Sequence, residues 1–277
     1  MEPIVIIATI LFLVVALIFS PLGLGGGVLY VPIFHYILEW GLQESLIGSL
    51  TLVLMVALGS GLAHSKTGNA DHKIANSGRI TAIPSAIVGT ILSGVIISFV
   101  GEAAIKLIAA IILLFVLNET VKKMKSSDNA TEEELESTPD LVRKYQYGAA
   151  FAGLSSGLLG MGGGAILVTL NRNLLKMGAR KSAGTSYLVA STIVPVALSS
   201  HLLLDGVSSE MIASTGWIPI LIVPTLVAIS AFSGAKLAIE YIPKNMVTNL
   251  FLGAIIISVL RYAYDLTHYA YNLIFTI

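Results

Sequence analysis

The sequence predicts an all-α polytopic integral membrane protein. Hydrophobic residues make up 55% of its 277 residues and charged residues 12%, about half of the roughly 25% that soluble domains carry. The charges are also unevenly placed, because eleven of the 32 lie between Lys122 and Lys144. Long, almost uncharged stretches remain on either side, as expected of helices that cross a bilayer.

The apolar segments set the number of helices. A straight helix needs about 20 apolar residues to cross the hydrocarbon core, and seven segments approach this length: 4–20, 46–63, 80–100, 104–120, 184–203, 213–235 and 247–264. Three shorter apolar pieces are 28–38, 147–159 and 164–175. We expect about ten helical elements, five on each side of residue 130. The first is interpreted as a membrane helix rather than a signal peptide, because no Lys or Arg precedes it.

The stretch 121–146 is the one region with a soluble composition. Its charges come in blocks and are mixed with Ser, Thr, Asn and Pro. A docking loop and a solvated linker both fit this composition, and we favour the linker. The predicted organisation is therefore an N-terminal membrane repeat over 1–120, a charged cytoplasmic linker over 121–146 and a C-terminal membrane repeat over 147–277.

The two halves of the chain resemble each other. Moving one half by 137 positions, without gaps, makes 12 of the 48 residues from Leu17 to His64 identical to their counterparts. The matches include glycines, serines and a histidine: Gly23 with Gly160, Gly25 with Gly162, Gly26 with Gly163, Gly27 with Gly164, Ser45 with Ser182, Ser49 with Ser186 and His64 with His201. The chain therefore looks duplicated.

Charge predicts the relative orientation of the halves. The loop 39–45 is acidic and its counterpart 176–182 is basic, whereas the next loop is basic at 66–79 and acidic at 205–210. Because Lys and Arg mark the cytoplasmic side of short loops, equivalent loops should lie on opposite faces. We predict two inverted-topology repeats of about five helical segments each, with both termini outside the cytoplasm. Two basic residues do not fit this orientation: Lys106 and Arg261.

The glycine clusters predict a break in one helix of each half. A membrane tolerates a broken helix only where it is buried in protein or lines a cavity, and the N–H groups at the start of the next helix favour anions. We expect the breaks to meet near the bilayer midplane and form a transporter's binding site; close helix packing through small residues is the alternative. The expected substrate-binding residues are Gly25, Gly26, Gly27, Ser49, Gly162, Gly163, Gly164, Asn171 and Ser186.

Other polar residues argue against other classes of function. His64 and His201 could carry protons or bind a metal, but their equivalent positions at helix ends favour interfacial roles on opposite faces. No carboxylate lies in the middle of a predicted span, and Asp265 is expected to pair with Arg261 one turn earlier. Hydrolase and zinc-protease motifs are absent, so we predict no enzyme, cofactor or metal site. Zero net charge excludes a nucleic-acid partner, and zero cysteines exclude a thiolate metal site.

These motifs resemble the sulfite exporter TauE/SafE family. The resemblance rests on PLGLGGGVLYVPI at 21–33, LLGMGGGAILVTL at 158–170, the charged linker and GARKSAGTS at 178–186. The second break departs from the family pattern, with Thr169 where Pro32 stands in the first. The resemblance implies a prokaryotic inner-membrane permease for sulfur-containing anions such as sulfite or organosulfonates. Its motif positions here are the six glycines 25–27 and 162–164 and the serines 49 and 186.

We therefore expect a secondary transporter, an exporter of small sulfur-containing anions that works by alternating access. The expected partners are the small anionic substrate and the lipid bilayer, with no nucleic acid. Monomer and homodimer are both compatible with the sequence. The alternatives are a permease for another small anion or a divalent metal, and a membrane scaffold or assembly factor that transports nothing.

Overall fold

A computed structural model of the chain describes residues 3–126, 138–206, 215, 217–241 and 244–275. It is 88% helical and has no strand in the described part, which confirms the predicted all-α class. The helices are α1 Pro3–Phe19, α2 Gly27–Pro32, α3 Leu42–Lys66, α4 His72–Phe99, α5 Glu102–Ser126, α6 Pro139–Leu159, α7 Gly164–Asn173, α8 Ala179–Leu204, α9 Trp217–Tyr241 and α10 Lys244–Phe275. A π turn, Ile33–Ile37, extends α2.

Within the described residues, five helices are long and apolar enough to cross a membrane. They are Pro3–Leu22, Leu42–Lys66, His72–Phe99, Ala179–Leu204 and Pro219–Ala238. Their outer faces expose large apolar side chains, such as Ile7, Ile91 and Ile229, each at least 50% exposed. An apolar outer surface of this extent is expected where helices face lipid rather than water. The chain is a polytopic membrane protein.

Several helices begin before the apolar segments that predicted them. Helix α4 begins at His72, eight residues before the predicted span, because the Asp71 side chain caps it by accepting a hydrogen bond from the Ile74 N–H at 3.0 Å. Helix α3 begins at Leu42 and α8 at Ala179, each directly after a glycine. Hydropathy detects the part of a helix that lies in hydrocarbon, whereas capping residues set where the helix starts.

Helical structure extends into both ends of the predicted linker. Residues 121–126 continue α5, and residues 139–146 form the first two turns of α6. Thr138 caps α6 by accepting a hydrogen bond from the Leu141 N–H at 3.3 Å, and Pro139 occupies the first helical position. The centre of the linker, 127–137, lies outside the described residues. The division of the chain at this linker stays a prediction.

The main contacts between the long helices are two-fold related: each has a counterpart between the equivalent helices of the other half. Helices α3 and α8 pack against each other, α3 also packs on α9 and α8 on α4, while α1 packs on α9 and α6 on α4. The α4–α6 contact depends on glycine: Gly153 and Gly157 face the carbonyl groups of Ala82 and Ala86 with no room for a side chain. This arrangement puts α3 and α8, with their serines, at the centre. That the repeats are inverted across the membrane stays a prediction.

Candidate functional site

The two glycine breaks lie against each other inside the protein. A Cβ atom on Gly27 would lie 2.6 Å from the Cα of Met161, and a Cβ on Gly164 would lie 2.7 Å from the carbonyl oxygen of Gly23. Met161 and Leu24, the residue after Gly23, are themselves equivalent positions of the two repeats. Each break therefore packs on the backbone of the other, and neither contact leaves room for a methyl group.

The remaining glycines of the motif contact the helices around the breaks. Gly25 and Gly162 both face Val53 of α3, so this side chain lies between the two breaks. Gly26 faces the ring of Tyr30, and Gly163 faces the carbonyl oxygen of Ala152, 2.5 Å from where its Cβ would be. Close packing, the alternative to an anion site, therefore describes these glycines in this conformation.

Gly26 and Gly163 also set the direction in which the short helices leave the breaks. Both have left-handed backbones, with φ of 81° and 68°, and both are the N-cap of the helix that follows. Their carbonyl oxygens accept equivalent bonds, from the Tyr30 N–H at 3.1 Å and from the Leu167 N–H at 3.0 Å. The first N–H groups of each helix have no partner within the helix, and in both halves they lie at the buried break.

Ser49 and Ser186 join the two halves by reciprocal hydrogen bonds. The Ser49 hydroxyl donates to the carbonyl oxygen of Gly160 at 2.8 Å, and the Ser186 hydroxyl donates to that of Gly23 at 2.8 Å. Both serines are fully buried. Because a hydroxyl has one hydrogen to donate, neither serine has a donor left for an anion in this conformation. Their contact with a substrate stays a prediction that requires these bonds to be exchanged.

Asn171 lies beside α8 rather than at a break. It is fully buried, and its amide nitrogen donates to the carbonyl oxygen of Ser182 at 3.1 Å. Its side-chain oxygen has no hydrogen-bond partner among the described residues. Ser182 is one turn before Ser186, so Asn171 contacts the helix that carries a predicted site residue. A direct role in substrate binding stays a prediction.

A small cavity lies between α5 and the start of α7. It has a volume of about 10 Å³, room for about one water molecule. Its lining residues are Ile112, Leu113, Val116, Ser155, Met161, Gly163, Ala165 and Ile166. An oxyanion of four or more heavy atoms does not fit there, so binding at the second break requires α5 or α7 to move. The described conformation is closed at this point.

Two buried tyrosines lie near the first break, and sequence reasoning missed one of them, Tyr30. The Tyr187 hydroxyl donates to the carbonyl oxygen of Phe19 at 3.0 Å, and the Tyr30 hydroxyl donates to that of Phe12 at 3.4 Å. Both side chains are almost completely buried. A phenol within an otherwise aliphatic segment next to a break is the signal that identifies Tyr30. These bonds hold α1 against α2 and α8.

His64 and His201 are fully buried in protein, so an interfacial role that leaves them exposed at the membrane surface is wrong. Their location on opposite faces of the membrane stays a prediction. The ring of His201 contacts the Asp205 carboxylate through Nδ1 at 2.7 Å and the Gly157 carbonyl through Nε2 at 2.6 Å. Neither ring nitrogen of His64 has a hydrogen-bond partner among the described residues. Because the two histidines occupy equivalent positions, the sequence predicts equivalent surroundings. The structure shows equal burial but different polar contacts.

The predicted pairing of Asp265 with Arg261 is also wrong. Asp265 pairs with Lys106 of α5, at 2.6 Å, and accepts a hydrogen bond from the Tyr36 hydroxyl at 3.1 Å. Arg261 lies over the Tyr36 ring instead, 3.9 Å from its centroid. Asp265 therefore pairs with Lys106 on another helix rather than with its neighbour on α10, Arg261. The sequence did carry a signal, because Lys106 and Arg261 are the two basic residues that the predicted orientation could not place.

Comparison with known proteins identifies the family. A family model described as Sulfite exporter TauE/SafE matches residues 8–262, a range that includes both glycine breaks. No curated protein and no solved structure matches the chain. The resemblance carried by the glycine motifs is thereby confirmed.

Proposed function

Since the chain belongs to the sulfite exporter TauE/SafE family, we propose that it exports small sulfur-containing anions, such as sulfite or organosulfonates, by alternating access. The family is one of membrane transporters rather than enzymes. The observation that carries the proposal is the match over both glycine breaks, the part of the chain that is duplicated and most deeply buried. We place the protein in the cytoplasmic membrane of a prokaryote.

The contact between the breaks supports a single shared binding site. The start of α7 lies against the backbone of Gly23 and Leu24, and the start of α2 lies against that of Met161. N–H groups at a helix start, together with the positive end of the helix dipole, favour the oxygens of a sulfite or sulfonate group. On this proposal the six motif glycines keep side chains away from the anion, and Ser49 and Ser186 donate to it once they release the carbonyl groups.

Reciprocal packing supports alternating access around that site. Helices α1 and α3 pack on α9, as α6 and α8 pack on α4. The bonds Ser49–Gly160 and Ser186–Gly23 connect the halves in both directions. A carrier built in this way has two related conformations, each open to one side of the membrane. The closed breaks of this structure fit an occluded stage between them.

The membrane potential suffices to drive export. The sequence has no Walker-type nucleotide motif, so we propose coupling to the anion's own gradient, the membrane potential, protons or Na⁺. Moving one charge across 100 mV is worth about 2.3 kcal/mol, which favours efflux of an anion from a negative interior. The substrate and the bilayer are the partners that this function requires, and a monomer or a homodimer would serve it.

Transport and ligand stabilisation test the proposal together. Purified protein is reconstituted in liposomes, and sulfite efflux is followed with and without an imposed potential, with protein-free liposomes as the control. Melting temperature in detergent is measured against sulfite, thiosulfate, sulfate, sulfoacetate, taurine, acetate, Ni²⁺ and Zn²⁺. A ligand at about 100 times its Kd adds about 2.7 kcal/mol to stability, so a true substrate raises the melting temperature clearly.

The rival functions predict different outcomes. A divalent-metal permease is stabilised by Ni²⁺ or Zn²⁺ and not by an oxyanion. A permease for another anion responds to acetate, whereas a scaffold responds to no member of the panel and carries no flux. Stabilisation by sulfite or a sulfonate with potential-dependent efflux supports the proposal, and any of the other three patterns contradicts it.

A further inference from the structure

Arg261 of α10 has an unusual environment at the end of the first broken helix. Its guanidinium carbon lies 3.9 Å from the centroid of the Tyr36 ring and 5.4 Å from that of Tyr264. Tyr36 precedes the last residue of the apolar segment Gly27–Ile37, which starts at the first glycine break. Stacking on aromatic faces fixes the plane of a guanidinium and leaves its N–H groups free at the edge.

Those N–H groups have no acceptor in the part of the protein that the structure describes. Arg261 donates no hydrogen bond to any residue that the structure describes, although it is partly buried. The nearby Asp265 carboxylate is already engaged, since one of its oxygens accepts from both Lys106 and the Tyr36 hydroxyl. The Lys106–Asp265 pair therefore holds α5 to α10 without a hydrogen bond from Arg261, whose charge acts on Asp265 only through space.

Lys106 brings a second cation to the same place. Its ammonium nitrogen lies 5.6 Å from the Tyr36 ring centroid, and its side chain is only 12% exposed. Glu102 lies 3.9 Å from this nitrogen, a long contact with a carboxylate that is 44% exposed. The cations Arg261 and Lys106 thus lie near two carboxylates. Lys106 contacts Asp265 at 2.6 Å but Glu102 only at 3.9 Å. A planar guanidinium next to an ammonium is well suited to bind an oxyanion, because the guanidinium can donate two parallel hydrogen bonds.

We propose that Arg261 and Lys106 form a second anion-binding site, which holds the transported oxyanion at one end of its path, roughly 15 Å along Gly27–Ile37 from the first break. Arg261 donates its free N–H groups to two oxygens of the anion. Lys106 divides its charge between the anion and Asp265, so that Asp265 competes with the substrate and keeps its residence short. The identity of the anion rests on the proposed function, whereas the site itself does not.

In the equivalent place of the other half, the described residues show no arginine stacked on the counterpart of Tyr36. There Asn173, the counterpart of Tyr36, donates to the Glu119 carboxylate at 3.1 Å, and Glu119 also pairs with Lys122 at 3.0 Å. The counterpart of Arg261 in the sequence is Met124. The second anion site therefore belongs to one end of the path, and its loss should affect binding from that side alone.

The test compares variants whose effects have opposite signs. Wild type, Arg261→Gln, Arg261→Lys, Asp265→Asn and the control Lys122→Gln are reconstituted, and sulfite flux is measured against sulfite concentration on each side separately. We expect Arg261→Gln to raise the half-saturating concentration about tenfold on one side, the loss of one charge-assisted contact, at an unchanged maximal rate. Arg261→Lys should lie in between, Asp265→Asn should lower the half-saturating concentration, and Lys122→Gln should match wild type.

A purely structural role gives a different pattern. If Arg261 only packs on tyrosines, Arg261→Gln and Asp265→Asn both lower the melting temperature and the maximal rate, and neither changes the half-saturating concentration. That result overturns the second site. If wild type carries no sulfur anion, the proposed function fails, but the site is still tested with sulfate and inorganic phosphate. Sulfate or phosphate should then raise the melting temperature of wild type but not that of Arg261→Gln. If neither anion stabilises wild type, the second site is refuted as well.

Discussion

The first and second glycine breaks share a backbone but differ in the side chains around them. Glu39 and Lys176 are equivalent residues of opposite charge, and both have a positive φ, 56° and 55°. The Trp40 N–H donates to the Phe34 carbonyl at 3.1 Å, as the equivalent N–H of Met177 does to that of Asn171 at 3.1 Å. The turn after each short helix is therefore the same whether its side chains are acidic or basic, aromatic or polar.

The short helices themselves show where the halves diverge. Helix α2 ends at Pro32 and continues as a π turn, in which the Leu38 N–H bonds to the Ile33 carbonyl at 3.2 Å. Helix α7 has Thr169 at the equivalent position and runs regularly to Asn173. Proline has no N–H and crowds the preceding turn, which accounts for the change of helix type. The difference lies towards the helix ends, away from the contact between the breaks.

The contact between the breaks and the ends of the short helices place different constraints on the sequence. Where the halves touch, Gly27 lies against the backbone of Met161 and Gly164 against that of Leu24, so a two-fold exchange requires glycine at both positions. At the ends of the short helices each half faces a different environment, and Tyr36 on one side corresponds to Asn173 on the other. A carrier of this kind can have equivalent residues at its centre while the residues at its two ends differ.

The largest expected effect is at the contact between the breaks. Gly27→Ala and Gly164→Ala each put a methyl group within 3 Å of backbone atoms of the opposite break. Because backbone cannot rotate away as a side chain can, we expect each to cost about 3 kcal/mol of stability, the upper end of the usual range for overpacking. Melting temperature in detergent and the yield of monodisperse protein measure the loss.

Gly206→Ala is the matched control for these two variants. Gly206 has φ of 72°, and a Cβ there would have no atom within 4 Å. Its substitution brings only the backbone cost of about 1–2 kcal/mol. If Gly27→Ala and Gly164→Ala melt at or above the temperature of Gly206→Ala, the breaks are not packed as tightly as described.

The equivalent histidines should respond differently to the same substitution. His201→Leu leaves the Asp205 carboxylate, whose side chain is 3% exposed, without the ring that it contacts, and a buried polar group that loses its hydrogen-bond partner costs about 1–3 kcal/mol. His64→Leu removes a buried ring whose contact with the Ser20 backbone falls short of a hydrogen bond of normal geometry, so it should be close to neutral. Thermal melts of the two variants at the same pH make the comparison. Equal losses would show that burial alone, and not pairing, sets the effect.

The breaks could be predicted from the sequence because glycine is required where one backbone packs directly on another. The glycines of 23–27 and 160–164 lie where a side chain would clash with neighbouring atoms, and this need is visible in a single sequence. The charged cluster was not predictable in the same way, since Lys106 and Asp265 are 159 residues apart and meet only after α5 packs on α10. Helix ends were also misplaced, because caps such as Asp71 are polar residues that hydropathy excludes.

The smallest expected effect concerns the reciprocal serines, and it tests the symmetry most directly. Ser49→Ala and Ser186→Ala each remove one buried hydrogen bond between the halves, which should cost about 1 kcal/mol. Equivalent surroundings predict losses that agree within a few tenths of a kcal/mol. Ser191→Ala is the control, because that hydroxyl bonds only within its own helix, to Leu188 at 3.0 Å.

The double variant Ser49→Ala/Ser186→Ala then separates a structural bond from a functional one. If the serines only join the halves, the double variant is less stable but carries sulfite with unchanged half-saturation. If they exchange their carbonyl partners for the anion, half-saturation rises in both single variants and further in the double variant. Unequal single effects on stability would contradict the two-fold exchange, because Gly160 and Gly23 would then not be equivalent acceptors.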